Sequence, residues 1–280
     1  MAIQKSGRLH EKSLELLKDS GINLPNGSGK LLSTARDFPL EILFVRDDDI
    51  PEYVADGVAD TGIVGENVVA EKGVKLRIMD RLGFARCRLS LAVSKNINYP
   101  GLDYFKGKKI ATSYPNILQK FLSEKGIKAD IHQISGSVEI APGIGLADAI
   151  FDIVSSGSTI VSNGLKEVET VLQSEAVIVA HEKLNSVKND LLEKLLFRIR
   201  AVQKSRNNKY ILLNAPNDKI PDIVKIIPGM KSPTIMPLAE EGWSSVHSVL
   251  SEYQFWEVID QLKGMGAQGI LVIPIEKMIV

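Results

Sequence analysis

The 280-residue chain holds one cysteine, Cys87, and four scattered histidines. A single cysteine excludes an internal disulfide framework, and with so few histidines there is no Cys/His set for a structural zinc. Lys+Arg and Asp+Glu are both 34, so the chain carries no excess of either sign. That balance argues against a broad nucleic-acid footprint and leaves only a local basic pocket open. No apolar run approaches the roughly 18 residues of a membrane span. The opening Met1-Ala-Ile-Gln-Lys-Ser-Gly-Arg8 lacks the basic and apolar regions of an export signal. These absences predict a soluble cytoplasmic protein with no nucleic-acid or membrane partner. What is present is ordinary for a globular enzyme: 44% apolar and 24% charged residues, too apolar for disorder. The length exceeds what one core usually supports, which predicts two or three domains.

The periodicity is α/β for most of the chain. A strand stub at 1–3 leads to a helix near 9–20 stopped by Gly21. Glu41 to Arg46 is a short buried strand, and Asp49-Ile50-Pro51 starts a helix with proline where no amide is needed. Strands follow at 61–65, 88–93 and 109–112, with helices at 66–72 and 116–125. Residues 144–151 read as a helix or helix–strand junction, and 175–180 as an apolar strand. A long amphipathic helix is predicted over 185–204, followed by the polar stretch Lys204 to Lys209 as a linker. The last 75 or so residues show a βαββαβ order, the ferredoxin-like pattern.

The segment with most chemical content is Glu139-Ile-Ala-Pro-Gly-Ile-Gly-Leu-Ala-Asp-Ala-Ile-Phe-Asp-Ile-Val-Ser-Ser-Gly-Ser-Thr159. Its second half sets Asp152 at a strand end, then three serines, a glycine and a threonine before a helix start. Amides of such a turn point outward together, glycine permits close approach and hydroxyls add donors, so a phosphate monoester suits it. Helix capping by the same hydroxyls is the competing reading.

This segment resembles the phosphoribosyl-pyrophosphate motif of the ATP phosphoribosyltransferases, the first enzymes of histidine biosynthesis. Six further stretches resemble that family in the same order: Gln4 to Leu9, Arg46 to Pro51, Asp60 to Asn67, Cys87 to Leu91, Ala111 to Pro115 and Ile275 to Met278. The likeness spans the chain and points to the long form. It implies two periplasmic-binding-protein-like (type II) catalytic lobes, 1–91 with 177–204 and 92–176, and a ferredoxin-like regulatory domain over 209–280. The chain would cross between lobes near Leu91 and return near Val177. The implied reaction joins N1 of ATP to C1 of phosphoribosyl pyrophosphate and releases pyrophosphate, with Mg²⁺ present. A two-lobed binding or amino-acid-sensing protein without catalysis is the alternative, since fold alone does not fix function.

The resemblance assigns Ser155, Ser156, Gly157, Ser158 and Thr159 to the 5′-phosphate and Asp152 to the ribose hydroxyls. Glu139 is expected at the ribose or the metal, whose protein ligands stay undefined because Mg²⁺ rides mainly on substrate phosphates. Lys5 and Arg8 follow the first strand, where two cations near a helix start oppose the macrodipole and so favour a functional role. With Cys87 they are expected near ATP. Arg46 to Asp49 is either a substrate or metal site or a set of charges complementing a helix start. Gly143 stands where some relatives carry arginine. In the last domain, Asn214, Ala215 and Thr234 are the expected contacts for L-histidine as an inhibitor. The family also implies dimers assembling into a hexamer.

Overall fold

The computed structural model describes residues 1–25 and 31–279, in two compact units. The first comprises Met1–Lys18 and Ile22–Leu191, the second Asp19–Gly21 and Leu192–Val280.

The first unit carries two sheets. The elements of its first lobe are β1 (Ala2–Gln4), α1 (Arg8–Asp19), β2 (Leu32–Thr34), β3 (Glu41–Val45), α2 (Ile50–Ala55), β4 (Thr61–Gly65), α3 (Glu66–Lys72) and β5 (Arg77–Arg81). The second lobe adds β6 (Cys87–Ser94), β7 (Lys109–Thr112), α4 (Pro115–Glu124), β8 (Asp130–Gln133), β9 (Ala149–Val154), α5 (Ser158–Ser162) and β10 (Leu165–Ser174). The chain then returns through β11 (Ala176–Ala180) into α6 (Ser186–Arg206). The sheet orders are β2-β3-β1-β4-β11-β5 and β10-β6-β9-β7-β8. In the first, β3, β1 and β4 run parallel and the returning β11 lies antiparallel between β4 and β5. In the second, β9, β7 and β8 run parallel, while β6 is antiparallel to β9 and β10. This is the type II two-lobed arrangement.

Each lobe has its own core. Ala2, Ile50, Val54, Val64, Val177 and Val179 pack in the first, and Leu89, Leu91, Phe105, Ile110, Leu118 and Phe151 in the second. Gly62 of β4 is required by close approach, since a Cβ there would lie 2.7 Å from Ile50 Cγ2. Gly73 ends α3 at φ 65°, a conformation that glycine takes without steric cost.

Three expectations are corrected. The first crossing falls at 82–86, not near Leu91, because all of β6 lies in the second sheet and Leu91 is mid-strand. The return passes through Glu175, the residue between β10 and β11. Residues 144–151 contain no helix; a turn leads into β9, whose Ala149, Ile150 and Phe151 are fully buried. A strand covered on both faces reads as a continuous apolar run, which periodicity cannot tell from a helix. Residues 204–209 are not an open linker, since α6 continues to Arg206 and the next strand starts at Asn208.

The second unit continues as β12 (Asn208–Pro216), α7 (Ile220–Ile226), β13 (Thr234–Pro237), β14 (Trp243–Ser251), α8 (Glu252–Gly264) and β15 (Gln268–Pro274). Its sheet, ordered β13-β14-β12-β15, is antiparallel throughout, the ferredoxin-like pattern. Ile211, Leu213, Ala215, Ile223, Val246, Phe255 and Leu262 form its core. A capping box starts α8: Ser251 Oγ accepts from the Gln254 amide, and the Gln254 side chain accepts from the Ser251 amide.

Candidate active site

The serine-rich segment leaves β9 at Val154 and enters α5 through Gly157, whose φ of 81° favours glycine. Ser155, Ser156, Ser158 and Thr159 are exposed. Ser156 Oγ lies 2.9 Å from Ser158 Oγ and accepts from the Ser158 amide at 3.4 Å. The first-turn amides of α5 have no intrahelical acceptor, so the loop presents hydroxyls and amides together.

Asp152 pairs with Ser90 of β6, three residues upstream of the loop. Burial lifts its carboxyl to about 6, the Ile153 amide opposes that rise, and Glu139 adds to it. Glu139 sits on a single 3-10 turn, Val138–Ile140, after Ser137 in the left-handed region at φ 51°. The two carboxyls are therefore electrostatic neighbours.

Tyr114 belongs to the same neighbourhood. Its hydroxyl is pushed well up, by burial first and then by Asp152; Asp48 and Asp47 of the first lobe contribute further. Asn67 Nδ2 donates to the Tyr114 hydroxyl at 3.3 Å. Buried Asn67 is itself fixed by Ser174, whose Oγ donates to Asn67 Oδ1 at 2.9 Å and accepts from the Asn67 amide at 3.0 Å. A second bridge between lobes is Glu71 of α3. Its two carboxylate oxygens accept from the amides of Asn116 and Ile117 at 2.9 and 3.0 Å, an anion on the amides that open α4.

A cavity of about 510 Å³ opens beside both crossings, lined among others by Arg81, Arg86, Cys87, Arg88, Ser155 and Glu175. Cys87 and Ser155 thus share one cavity. Its cations are matched by anions: Arg81 with Glu66 at 2.5 Å, Arg86 with Glu175 at 3.7 Å and Arg88 with Glu167 at 2.5 Å. Burial pushes the Cys87 thiol up, against a hydrogen bond with Ser174, so it stays protonated at neutral pH and is a poor nucleophile.

Lys5 and Arg8 are exposed and do not line this cavity. They follow β1, whose end is fixed by the Lys5 amide donating to the Val45 carbonyl at 2.8 Å. Asp47 to Asp49 follow β3, parallel to β1, so cations and anions crowd the same carboxyl edge of the sheet, where open α/β sheets bind ligands. Asp49 occupies the N-cap position of α2, but its side chain makes no capping bond there.

In the second unit, Ile211, Leu213 and Ala215 face the core, which leaves Asn214 on the open face of β12. Ala215 is fully buried, and strand alternation turns its side chain away from that of Asn214. Thr234 is exposed and pairs with His247 of β14. The sequence reading missed a polar cluster on this strand. The Tyr210 hydroxyl lies 2.7 Å from His247 Nδ1, and Ser245 Oγ lies 3.0 Å from His247 Nε2. The alternation Ser245-Val-His247 was its only local signal.

A family model described as ATP phosphoribosyltransferase matches residues 46–201. The ATP phosphoribosyltransferase of Bacteroides thetaiotaomicron is 59% identical over 280 residues, covering 100% of this chain and 99% of that protein. That of Azobacteroides pseudotrichonymphae is 61% identical over 279 residues, again covering 100% and 99%. The chain belongs to the ATP phosphoribosyltransferase family. A second model, described as HisG, C-terminal domain, matches residues 205–277, which makes this the long form of the ATP phosphoribosyltransferases. Among solved structures, the ATP phosphoribosyl transferase (HisG:HisZ) complex from Thermotoga maritima matches at TM-score 0.64 and 31% identity. That match covers 72% of this chain and 96% of the other. A non-catalytic binding protein is no longer the competing reading at such identity to ATP phosphoribosyltransferases over the full length. Among the described residues, no helix is long and apolar enough to cross a membrane.

Proposed function

We propose that phosphoribosyl pyrophosphate is held by Ser155 to Thr159 and Asp152, and that ATP enters from the side of Lys5, Arg8 and Cys87. The carrying observation is a strand that holds half-buried Asp152 two residues before its end at Val154 and feeds an exposed hydroxyl loop with Gly157 at φ 81°. The loop hydroxyls and amides hold the 5′-phosphate. Asp152 accepts from the ribose hydroxyls, and ionised Asp152 is the form that can do so twice. The reaction is the transfer of the phosphoribosyl group to ATP, the first step of histidine biosynthesis. Adenine N1 supplies the electron pair to C1 of the ribose, and the C1–oxygen bond breaks with its pair passing to pyrophosphate. No protein nucleophile is needed, so catalysis rests on positioning and charge stabilisation. A protonated Cys87 suits contact rather than attack.

Mg²⁺ takes hard oxygen donors, with one or two carboxylates and the rest from phosphates and water. Asp152 and Glu139 fit that demand, being oxygen donors close enough for one charge to raise the other's pKa. Among the described residues no cluster of three metal-type side chains exists. Such an ion supplies charge neutralisation of the leaving pyrophosphate. Beyond the cleft, the reading places L-histidine on the open sheet face by Asn214 and Thr234 as an inhibitor, in a cytoplasmic homo-oligomer built from dimers to a hexamer. The proposed lobes are 1–91 with 177–204 and 92–176, followed by the domain over 209–280; the sheets move the first boundary to 82–86, and residues from Leu192 on group with the second compact unit. Val280 lies outside the described residues.

Incubation with ATP, phosphoribosyl pyrophosphate and Mg²⁺ should yield an N1-modified adenine chromophore. Thr159→Ala and Ser156→Ala should weaken phosphoribosyl-pyrophosphate use; wild-type kinetics in both would remove the loop assignment. Calorimetry with millimolar histidine on the full chain tests the inhibitor site, and absence of heat would refute it while leaving the catalytic reading intact.

A further inference from the structure

The side chains that hold the loop come from two other strands. Arg88 of β6 makes a fork with Glu167 of β10: Nε donates to Oε1 at 2.6 Å and Nη2 to Oε2 at 2.5 Å. Its remaining nitrogen, Nη1, donates to the carbonyl of Ser155 at 3.3 Å. Glu167 Oε1 also accepts from Ser90 Oγ at 2.7 Å and from Thr170 Oγ1 at 3.1 Å. Four donors from three other side chains thus converge on one carboxylate, which they hold down at about 2, the Arg88 bond first.

Two features of the sheet make this possible. Arg88 pairs with Val154, so its guanidinium stands beside the first residue of the loop. A register shift in β10 between Glu167 and Glu169 lets Thr170 join Glu167, although residues three apart in a regular strand face opposite sides. The irregularity gathers both side chains opposite Ser90, which pairs with Thr170 on one side and with Asp152 on the other.

We propose that Arg88 and Glu167 are positioning residues for phosphoribosyl-pyrophosphate binding: their fork fixes the Ser155 carbonyl, and with it the direction of the amides and hydroxyls that follow. The proposal rests on the loop reading given above. Glu167 itself cannot be a ligand for the phosphates, because both are anionic. Its influence on the loop therefore passes through Arg88. Arginine suits the task because its planar fork can serve Glu167 with two nitrogens and still spare one for the loop. Lysine, a point charge, offers no such geometry.

The deciding variant is Glu167→Gln, which removes a negative charge beside an anion site. Through-space electrostatics alone would tighten phosphoribosyl-pyrophosphate binding. Loss of positioning would weaken it. Steady-state kinetics on the full chain should show its KM rising about tenfold for phosphoribosyl pyrophosphate, with the KM for ATP within twofold of wild type. Arg88→Lys should behave alike, and the double variant should be no worse than the poorer single one. A merely structural role would lower the active fraction, and so the apparent kcat, without splitting the two KM values.

Thr159→Ala is the control. If it raises the KM for phosphoribosyl pyrophosphate while Glu167→Gln leaves it unchanged or lower, the positioning proposal fails and the loop reading survives. If neither Thr159→Ala nor Ser156→Ala has any effect, the loop reading fails and takes this proposal with it. Should Glu167→Gln not fold, the double variant Ser90→Ala with Thr170→Ala loosens Glu167 without altering charge. It should raise that KM two- to threefold, and an unchanged value would overturn the proposal.

Discussion

Asp152 and Glu167 lie on the same sheet, one strand apart on either side of β6, and burial and bonding have driven them in opposite directions. Glu167 has Arg88, Ser90 and Thr170 around it and is held at about 2. Asp152 has a neighbouring carboxyl, one backbone amide and the cost of burial, and is lifted to about 6. A carboxylate whose partners are all supplied by the protein has no bonds left to offer a ligand at neutral pH. One left short of donors is ready to accept them from a ligand, and raised carboxyls cluster at such sites for that reason.

The sharpest test of this contrast is turnover. Asp152→Asn keeps the shape but loses the charge that accepts from two hydroxyls, a bond class of about 1.5–3 kcal/mol. Steady-state assays should show kcat/KM for phosphoribosyl pyrophosphate falling roughly 10- to 150-fold. Thermal melts should instead show the variant folded and no less stable than wild type.

Stability carries the second contrast, with opposite signs at the two sites. Glu167 has a depressed pKa, so its contribution is present above the unfolded value near 4.5 and is lost as pH falls toward about 2. Glu167→Gln should therefore destabilise the protein at pH 7 by about 1–2 kcal/mol, less than the bare shift implies because water screens a partly exposed pair, seen in urea midpoints. Asp152 has a raised pKa, so folding is opposed by its ionisation above pH 6, and that opposition fades as pH falls from 6 toward 4. Asp152→Asn should gain up to about 2 kcal/mol at pH 8, and much less at pH 4. Equal signs for the two variants would break the comparison.

A smaller effect is expected from pH alone. In the free enzyme, kcat/KM for phosphoribosyl pyrophosphate should fall as Asp152 gains its proton, with an inflection near 6 that Asp152→Asn abolishes. The smallest is Ser90→Ala, which removes one of four donors to Glu167 and should cost about 1 kcal/mol, measured in the same melts.

The sequence revealed Asp152 and the loop because the chemistry there is contiguous: a strand end, hydroxyls and glycine within eight residues. It hid Arg88 and Glu167 because they lie 79 residues apart, and nothing local marks either as the other's partner. Strand β10 escaped notice for a related reason. Lys166-Glu-Val-Glu-Thr-Val-Leu-Gln173 breaks its alternation at two register shifts, and those shifts are what assemble the Glu167 cluster. The end of α6 was misread because Lys204-Ser-Arg206 is polar, although lysine and arginine are good helix formers. The α/β alternation and the βαββαβ domain were legible, since glycine stops and apolar runs mark nearly every element; the two-lobe plan came from the family resemblance alone.

The bridge from Glu71 to α4 offers a clock. The amides of Asn116 and Ile117 find their acceptor on the opposite lobe, so protection from solvent deuterium there depends on the two lobes staying together. Amides within β7 are tied instead to β8 and β9 of their own sheet. Exchange at 116 and 117 thus reports how often the hinge breathes, while exchange in β7 reports how often the lobe itself comes apart. The ratio of the two rates separates opening from unfolding in a single labelling experiment, and its change on adding substrate measures how far the ligand shuts the cleft.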